Sequence, residues 1–418
     1  MKVAVIGSGI SGLAAAWLIN QKHQVTLYEA AAYLGGHTNT VDVELDGGRH
    51  PVDTGFLVHN ELTYPNLIHL FNHLAVETYD TEMSFSVQLP NQDIEWAGSN
   101  LQTVFGQKRN LLRPRFLVML QDILRFNRNA HDLLRYSELN DATLEELLVQ
   151  HKYSDMLRDW YLLPMAAAIW SSSPKDILQF PAATFLRFCL NHHLLQVNNR
   201  PNWRTIIGGG RSYVEKMAAS LDVRLGYPIE TVSRHEDRVE ITVAGRNENY
   251  DRLVFATHAP DTLTMLKDAS PLEQQLLGSV SYQPNLAILH TDRRFLPKRK
   301  KLWSAWNYLS SGGVDQSVCV TYLLNKLQRL PFRTPLMVTL NPPTDMVPDN
   351  EIARFHYAHP VFDQPAVEAQ KQLKRIQGNN NAWFCGAWCG YGFHEDGLKS
   401  ALRIINDFGV EAPWPVTL

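Results

Sequence analysis

Apolar positions along the chain change period several times, and each change marks a different kind of element. Residues 2–6, Lys2-Val3-Ala4-Val5-Ile6, form a short apolar run of the kind a parallel strand buried on both faces requires. Residues 13–19 come next, with the Ala and Leu content of a helix. Residues 24–28 predict a second strand, and 39–45 with 49–52 a strand pair. From about Tyr64 the period lengthens, with Leu67, Leu70, Phe71 and Leu74 at helical spacing. Residues 81–89 and 94–97 read as strands joined by a Pro90-Asn91-Gln92-Asp93 turn. Residues 111–195 are mostly helix-forming, punctuated by Pro114, Pro164, Pro174 and Pro181. A helix is expected over 211–221, then strands at 223–225, 239–243 and 252–257. Residues 271–375 alternate strands and loops. The chain closes with a strand from Ala382 that stops at Gly386, a loop, and a helix over 399–408.

The turn after the first strand is Gly7-Ser8-Gly9-Ile10-Ser11-Gly12. In a strand–turn–helix unit the first glycine makes the tight turn, the second lets backbone approach a pyrophosphate, and the third lets helix and strand pack closely. The helix N-terminus then presents free N–H groups to the phosphates. The glycine spacing alone is a weak signal. It gains specificity from Glu29, which ends the second strand about twenty residues on, where an acid binds a ribose hydroxyl and disfavours a 2′-phosphate.

The segment after Glu29 separates FAD from NAD. The run Ala30-Ala31-Ala32-Tyr33-Leu34-Gly35-Gly36-His37-Thr38 resembles the ExxxxxGG[RH]xxT continuation of FAD enzymes in the glutathione-reductase and amine-oxidase superfamily. His37 stands where many members have arginine, and it can donate to a phosphate in a pH-dependent way. Asp53-Thr54-Gly55-Phe56 resembles the D-x-G segment whose backbone passes the flavin ring. Gly386 and the later His394-Glu395-Asp396-Gly397-Leu398 resemble the strand–Gly–loop–helix that caps the flavin. The resemblance covers both ends and a central stretch, roughly half of the chain.

It implies an α/β fold: a glutathione-reductase-like, FAD-binding Rossmann domain with an inserted α+β substrate domain. The expected division is 1–75 for the first FAD-binding part, 76–203 for a mostly helical insertion, 204–268 for the second FAD-binding part, 269–375 for a substrate-domain sheet and 376–418 for the flavin cap. FAD is the implied cofactor. Besides the residues quoted above, Ile229 is implied at the adenine and Ala256-Thr257 near the diphosphate. A plain β-meander is the alternative reading of that central run.

Composition narrows the partners. Hydrophobic residues at 45% and charged residues at 19% are ordinary for a soluble globular protein, and a net charge of −3 gives no reason to expect nucleic acid. Cys189, Cys319, Cys385 and Cys389 are too few and too scattered for a disulfide framework or a zinc site, so no metal is expected. Met1 and Lys2 run directly into the first strand, so no secretory leader is expected. No apolar stretch reaches the ~18–20 residues that span a bilayer. A cytoplasmic protein is therefore expected, and two basic segments leave open a peripheral contact with the inner face of an anionic membrane. Residues 110–128 set Arg113, Arg115, Arg125 and Arg128 among leucines and phenylalanines, and 293–301 contain Arg293, Arg294, Lys298, Arg299, Lys300 and Lys301.

The fold does not say which bond the flavin oxidises. Many amine oxidases carry a lysine that holds a water at flavin N5, on the strand after the Ala-Thr segment. Aligned with that strand, residues 281–290 place Asn285 at the lysine position, and no lysine lies between Asp268 and Pro297. A paired-aromatic amine cage is not clearly marked, although Tyr391 is a candidate wall. Residues 52–58, 83–87 and 289–292 resemble a bacterial branch of amine-oxidase-like FAD oxidoreductases. Superfamily relatives that desaturate or isomerise long apolar chains imply a lipid-like small-molecule substrate, fatty acyl or polyene, giving up hydride to the flavin. Acid/base candidates are His359, Tyr357, Tyr391 and His394. Three alternatives stand beside this reading: a double-bond isomerase of unsaturated fatty acids, an amine oxidase, and a flavin-free scaffold of the GDP-dissociation-inhibitor type. The intact Gly7, Gly9, Gly12, Glu29, Gly35 and Gly36 set argues against the last.

Overall fold

A computed structural model describes residues 1–196, 201–310 and 319–418. The first apolar run is strand β1 (Lys2–Ile6), which is buried after its first residue. Helix α1 (Ile10–Ile19) buries nine of its ten residues, as an Ala- and Leu-rich helix without a polar face must. With β2 (Gln24–Glu29), these elements begin a five-stranded parallel sheet in the order Asp222–Leu225, β2, β1, Arg252–Phe255, Ala382–Phe384. Its strands come from three separate stretches of chain. The period-2 pattern of β1 serves two cores. Val3 and Val5 pack with α1 and the closing helix His394–Ile404, whereas Ala4 and Ile6 pack against the antiparallel meander Ile229–Arg234, Val239–Val243, Arg246–Tyr250.

A seven-stranded sheet forms the second half, in the order Glu351–Pro360, Tyr282–His290, Met337–Leu340, Cys319–Leu323, Trp306–Leu309, Phe85–Leu89, Ile94–Ala97. Two of its strands come from the stretch expected to be a helical insertion. The helices on this half run from Pro114–Asn140 to Ala182–Asn191. Pro114 and Pro174 sit in the first turns of helices, where the missing N–H costs nothing, whereas Pro164 comes just after the π-helical turn Arg158–Leu162 inside a continuous helical run.

Two expectations on the strands need correction. Residues 81–89 are not one strand: Thr78–Thr81 pairs with Trp203–Ile206, while Phe85–Leu89 enters the large sheet. The chain changes partner at Glu82–Ser84, and local alternation cannot register that. The strands near 223, 239 and 252 do not form one run either. The first and third join the parallel sheet, and the second joins the meander with two strands not anticipated, Ile229–Arg234 and Arg246–Tyr250.

Candidate cofactor and active site

The phosphate turn is built by contact. Gly7 lies at φ +99°, and its N–H donates to the Tyr28 carbonyl at 2.8 Å. A Cβ on Gly12 would stand 1.8 Å from the Gly7 oxygen, so helix and strand could not meet at their observed distance. A Cβ on Gly9 would meet no atom within 4 Å, which leaves that side of the turn open. Gly36, at φ +58°, brings the twin-glycine loop against it: a Cβ there would lie 3.2 Å from the Gly9 Cα. The Gly35 N–H donates to the Ser8 carbonyl at 3.1 Å. Gly55 passes so close to His37 that a Cβ would be 2.1 Å from the His37 oxygen, and the Phe56 N–H donates to that oxygen at 2.7 Å. The closing helix meets α1 at Gly397, where a Cβ would be 2.8 Å from Ile10 and 2.9 Å from the Ser11 Oγ; Leu398 beside it is fully buried. The positive ends of two helices therefore converge beside the turn.

Glu29 holds the adjoining loop. Its Oε2 accepts from the Ser8 N–H (2.9 Å) and hydroxyl (2.6 Å), and its Oε1 from the N–H of Ala31 (2.8 Å), next to exposed Ala30. A carboxylate offers about four acceptor sites, so one direction remains for a ribose hydroxyl. Ala256 lies against Gly7, with its oxygen 2.7 Å from where a Gly7 Cβ would stand. The Thr257 oxygen accepts from the Trp388 indole at 3.2 Å. Ile229 is buried at the start of the meander, in one core with Tyr28. The Gly386 N–H donates to Ser400 at 2.9 Å.

The cap's side chains are engaged in holding it in place. His394 Nε2 lies 2.8 Å from Thr38 Oγ1 and 3.0 Å from the Tyr213 hydroxyl, and its ring stacks on Phe56 at 3.7 Å. Burial pushes its pKa down to about 3. Glu395 accepts from the Asn66 N–H (3.0 Å), the Asn66 amide (2.7 Å) and the Leu67 N–H (3.0 Å), capping helix Pro65–His73. Asp396 accepts from the Phe393 N–H at 3.0 Å at the start of its own helix, and burial raises its pKa to about 6. Asp53 has a similar role: buried, it accepts from the Gly210 N–H at 2.9 Å and from Thr40, tying the Gly208-Gly209-Gly210 turn to the hairpin.

Where the seven-stranded sheet meets this cradle, four predicted residues come together. Strands Tyr282–His290 and Glu351–Pro360 pair with Asn285 opposite Tyr357 and Gln283 opposite His359. The Asn285 amide donates to the Gln283 carbonyl at 2.9 Å and faces His359 Nδ1 at 3.1 Å, while its oxygen accepts from Asn341 at 2.6 Å. That network fixes the amide's orientation, makes Nδ1 of His359 the acceptor and places the ring proton on Nε2. The Tyr357 hydroxyl accepts from the Asn39 amide at 3.1 Å and lies 3.1 Å from Thr54 Oγ1. The Thr54 hydroxyl already donates to the Asn39 carbonyl (3.0 Å), so Tyr357 donates to Thr54. His37 stacks on Tyr357 with ring centres 4.9 Å apart and lies 5.2 Å from His359. Burial lowers the pKa of both histidines, that of His359 to about 4, so the cluster is uncharged at neutral pH. Tyr391 lies apart, on the helical wall, with its ring 5.6 Å from Phe188.

His258, its ring tilted against Tyr282 with centres 4.3 Å apart and 3.3 Å from the Asp261 carboxylate, was not anticipated. Its position directly after Ala256-Thr257 was the available signal. Asn39, next to Thr38, had a similar one, but Asn341 and Tyr213 carry no local mark. Among the described residues no group of histidine, cysteine or acidic side chains could hold a metal ion, and no helix is long and apolar enough to cross a membrane.

FAD fits this cradle on three observations: the open direction at Gly9, the acceptor site left on Glu29, and the His37 Nε2, which is buried without a hydrogen-bond partner among the described residues. The chain is 26% identical over 275 residues to polyamine oxidase 3 of Oryza sativa subsp. japonica, a match covering 60% of this chain and 50% of that protein. It is 27% identical over 329 residues to carotenoid phi-ring synthase of Streptomyces griseus, covering 72% and 59%. It thus spans between half and three fifths of the length of these curated relatives. Among solved structures, cyclohexylamine oxidase from Brevibacterium oxydans IH-35A superimposes with a TM-score of 0.71 at 14% identity, covering 97% of this chain and 98% of that one. A CLA-producing fatty acid isomerase from P. acnes does so with 0.69 at 14% identity, covering 98% of each. At these identities the likeness is one of fold. Residues 10–404 match the family described as flavin containing amine oxidoreductase, and the chain belongs to that family of FAD-dependent oxidoreductases, with FAD as its cofactor.

Proposed function

We propose that this protein oxidises an apolar, lipid-like substrate, a fatty acyl or polyene chain. One observation carries the reading: the cluster of Asn285, Tyr357, His359 and His37 contains no lysine, no carboxylate and no imidazole that is charged at neutral pH. Aligned on residues 281–290, the position of the lysine associated with direct amine oxidation falls on Asn285, whose amide is tied to Gln283, His359 and Asn341. An uncharged wall suits a carbon chain better than an ammonium group. The carotenoid phi-ring synthase among the curated relatives supports the same side, and the polyamine oxidase supports the amine alternative.

FAD, when bound, supplies the acceptor for a hydride. The chain's residues supply position and proton handling. Tyr357 is a positioning residue, because its hydroxyl proton is committed to Thr54 and its ring supports His37. His359 is the candidate proton donor through its Nε2–H, because its one lone pair, at Nδ1, is taken up by the Asn285 amide. Loss of a proton to solvent from the carbon next to the oxidised one would complete a desaturation, and return of the hydride to another carbon would complete an isomerisation. The second outcome is favoured by one feature: with Nδ1 engaged by the Asn285 amide and a pKa lowered to about 4, His359 is a poor proton acceptor, and isomerisation removes no proton from the substrate.

Anaerobic mixing of the FAD-loaded protein with unsaturated fatty acids or carotenes, in parallel with polyamines, tests the reading. Bleaching of the flavin by the lipid, with a new double bond, is the expected result. Double-bond migration with the oxidised flavin spectrum restored assigns the isomerase instead. Bleaching by amines alone overturns the lipid reading.

A further inference from the structure

Both basic segments lie at one corner of the molecule, beyond the outer strand Ile94–Ala97 of the seven-stranded sheet. Arg113 pairs with Asp93 at 3.2 Å, and the Asn110 amide donates to the Glu95 carbonyl at 3.2 Å, fixing the stretch that leads into helix Pro114–Asn140. From the other segment, the Lys298 N–H donates to the Glu95 carboxylate at 2.9 Å, and Arg299 pairs with the same group. Leu302 lies against Gly106, which closes the corner.

Two properties coincide there. Leu101, Leu111, Leu112, Leu117, Val118 and Leu124 are exposed, Leu112 at 87% and Leu101 at 76%. Pro114, Leu117, Val118, Gln121, Leu124 and Arg128 recur at helical spacing on the exposed face, while Phe116, Met119 and Phe126 fill the buried one. Around this apolar face stand Lys108, Arg128, Lys298, Lys300 and Lys301, all exposed and in no ion pair among the described residues. In a chain of net charge −3, this is a local surplus of positive charge. An exposed row of leucines beside unpaired lysines is unfavourable toward water and complementary to a surface that is anionic outside and apolar just beneath.

We propose that this corner docks on an anionic membrane surface, with the exposed leucines entering the headgroup boundary and the lysines facing lipid phosphates. The geometry also links the surface to the candidate site. The opposite face of helix Pro114–Asn140 packs in one core with helix Ala182–Asn191, whose Phe188 stacks on Phe393 at 5.1 Å, directly before the closing helix. The proposal stands independently of the substrate, because its readout is vesicle binding and not turnover.

Flotation of the full-length FAD-loaded protein with vesicles of phosphatidylglycerol in phosphatidylcholine, against phosphatidylcholine alone, tests it. Binding is expected to the anionic vesicles only and to weaken with salt. Reversal of charge in Lys298→Glu/Lys300→Glu/Lys301→Glu is expected to weaken it at least 100-fold, on the basis of about fivefold per basic residue lost. Leu112→Glu/Leu117→Glu is expected to abolish it without changing FAD content, since both side chains touch solvent. No binding to anionic vesicles, or binding that ignores both variants, overturns the proposal. Self-association abolished by the leucine variant, without vesicle binding, assigns the face to a second copy and overturns it as well.

Discussion

The two halves of the candidate site are built on different physical terms. In the cofactor half the decisive quantity is space: at Gly12 and Gly55 a single added carbon would strike a backbone carbonyl oxygen, and at Gly36 it would press on the Gly9 Cα. In the half around Asn285 it is hydrogen-bond direction: Asn285, Asn341, His359, Tyr357 and Thr54 lock one another's orientations, and no formal charge is present among them. A cofactor that must always bind in one pose is served by a shaped backbone, whereas the uncharged wall beside it is held by side chains whose protons are already assigned.

The largest expected effect separates the two kinds of glycine. Gly9→Asp is expected to fold, because a Cβ there meets nothing, yet to lose FAD through the clash of its carboxylate with a diphosphate; the loss should be about 100-fold or more in affinity. Gly12→Ala is expected to lose the fold itself, since its Cβ would stand 1.8 Å from the Gly7 oxygen. Circular dichroism and flavin absorbance of both variants check the contrast. A Gly9→Asp protein with normal flavin content would break it.

The same contrast explains what the sequence could disclose. The cradle is written in neighbouring residues: a strand, a turn, a helix and an acid fall within residues 2–29, so the periodicity and the glycines expose it. The cap was visible for the same reason, but the tasks of its side chains were not, because Glu395 binds Asn66, 329 residues away. Asn285 reaches Asn341 and His359 across 56 and 74 residues, through strand register that no local pattern encodes. The break at Glu82–Ser84 stayed hidden because alternation continues while the sheet partner changes.

A smaller effect tests the directional half. Asn285→Ala leaves His359 Nδ1 and the Asn341 amide without their partner and frees the ring to exchange tautomers. Turnover is expected to fall by about 10- to 100-fold with FAD content unchanged. Tyr357→Phe keeps the ring beneath His37 and removes only the hydroxyl, costing about 1 kcal/mol of stability and little activity. If Tyr357→Phe is the more damaging variant in steady-state kinetics, the tyrosine exchanges protons and the assignment reverses.

Acid should act on both halves at once. His59, His290, His359 and His394 are neutral in the fold, with pKa values lowered by burial to about 4, 4, 4 and 3. Each contributes stability that is complete above the unfolded value near 6.5 and is lost as pH falls toward the folded value. For fully buried His59 and His290 that amounts to about 3 kcal/mol apiece. The thermal midpoint is expected to drop by about 5–10 °C between pH 6.5 and 4. His59, whose two ring nitrogens are buried without hydrogen-bond partners among the described residues, gives the cleanest check: His59→Leu should flatten part of that slope. A midpoint that does not fall over this range would contradict the neutral assignment.

The smallest effect has the opposite sign and belongs to the cofactor half. Burial raises Asp53 to about 6, despite hydrogen bonds from Thr40 and the Gly210 N–H that favour its charged form. A raised carboxyl contributes stability below its unfolded value near 3.8 and loses it as pH climbs through about 6, so at pH 7 the ionised group burdens the fold. Asp53→Asn keeps an oxygen for the Gly210 N–H and removes the buried charge. It is expected to gain about 1 kcal/mol at pH 7, less than the full shift because a charge-assisted bond becomes a neutral one, and to gain nothing at pH 4. If denaturant titrations show the gain at both pH values, packing and not ionisation sets this site. Asp53 would then join the glycines as a matter of space alone.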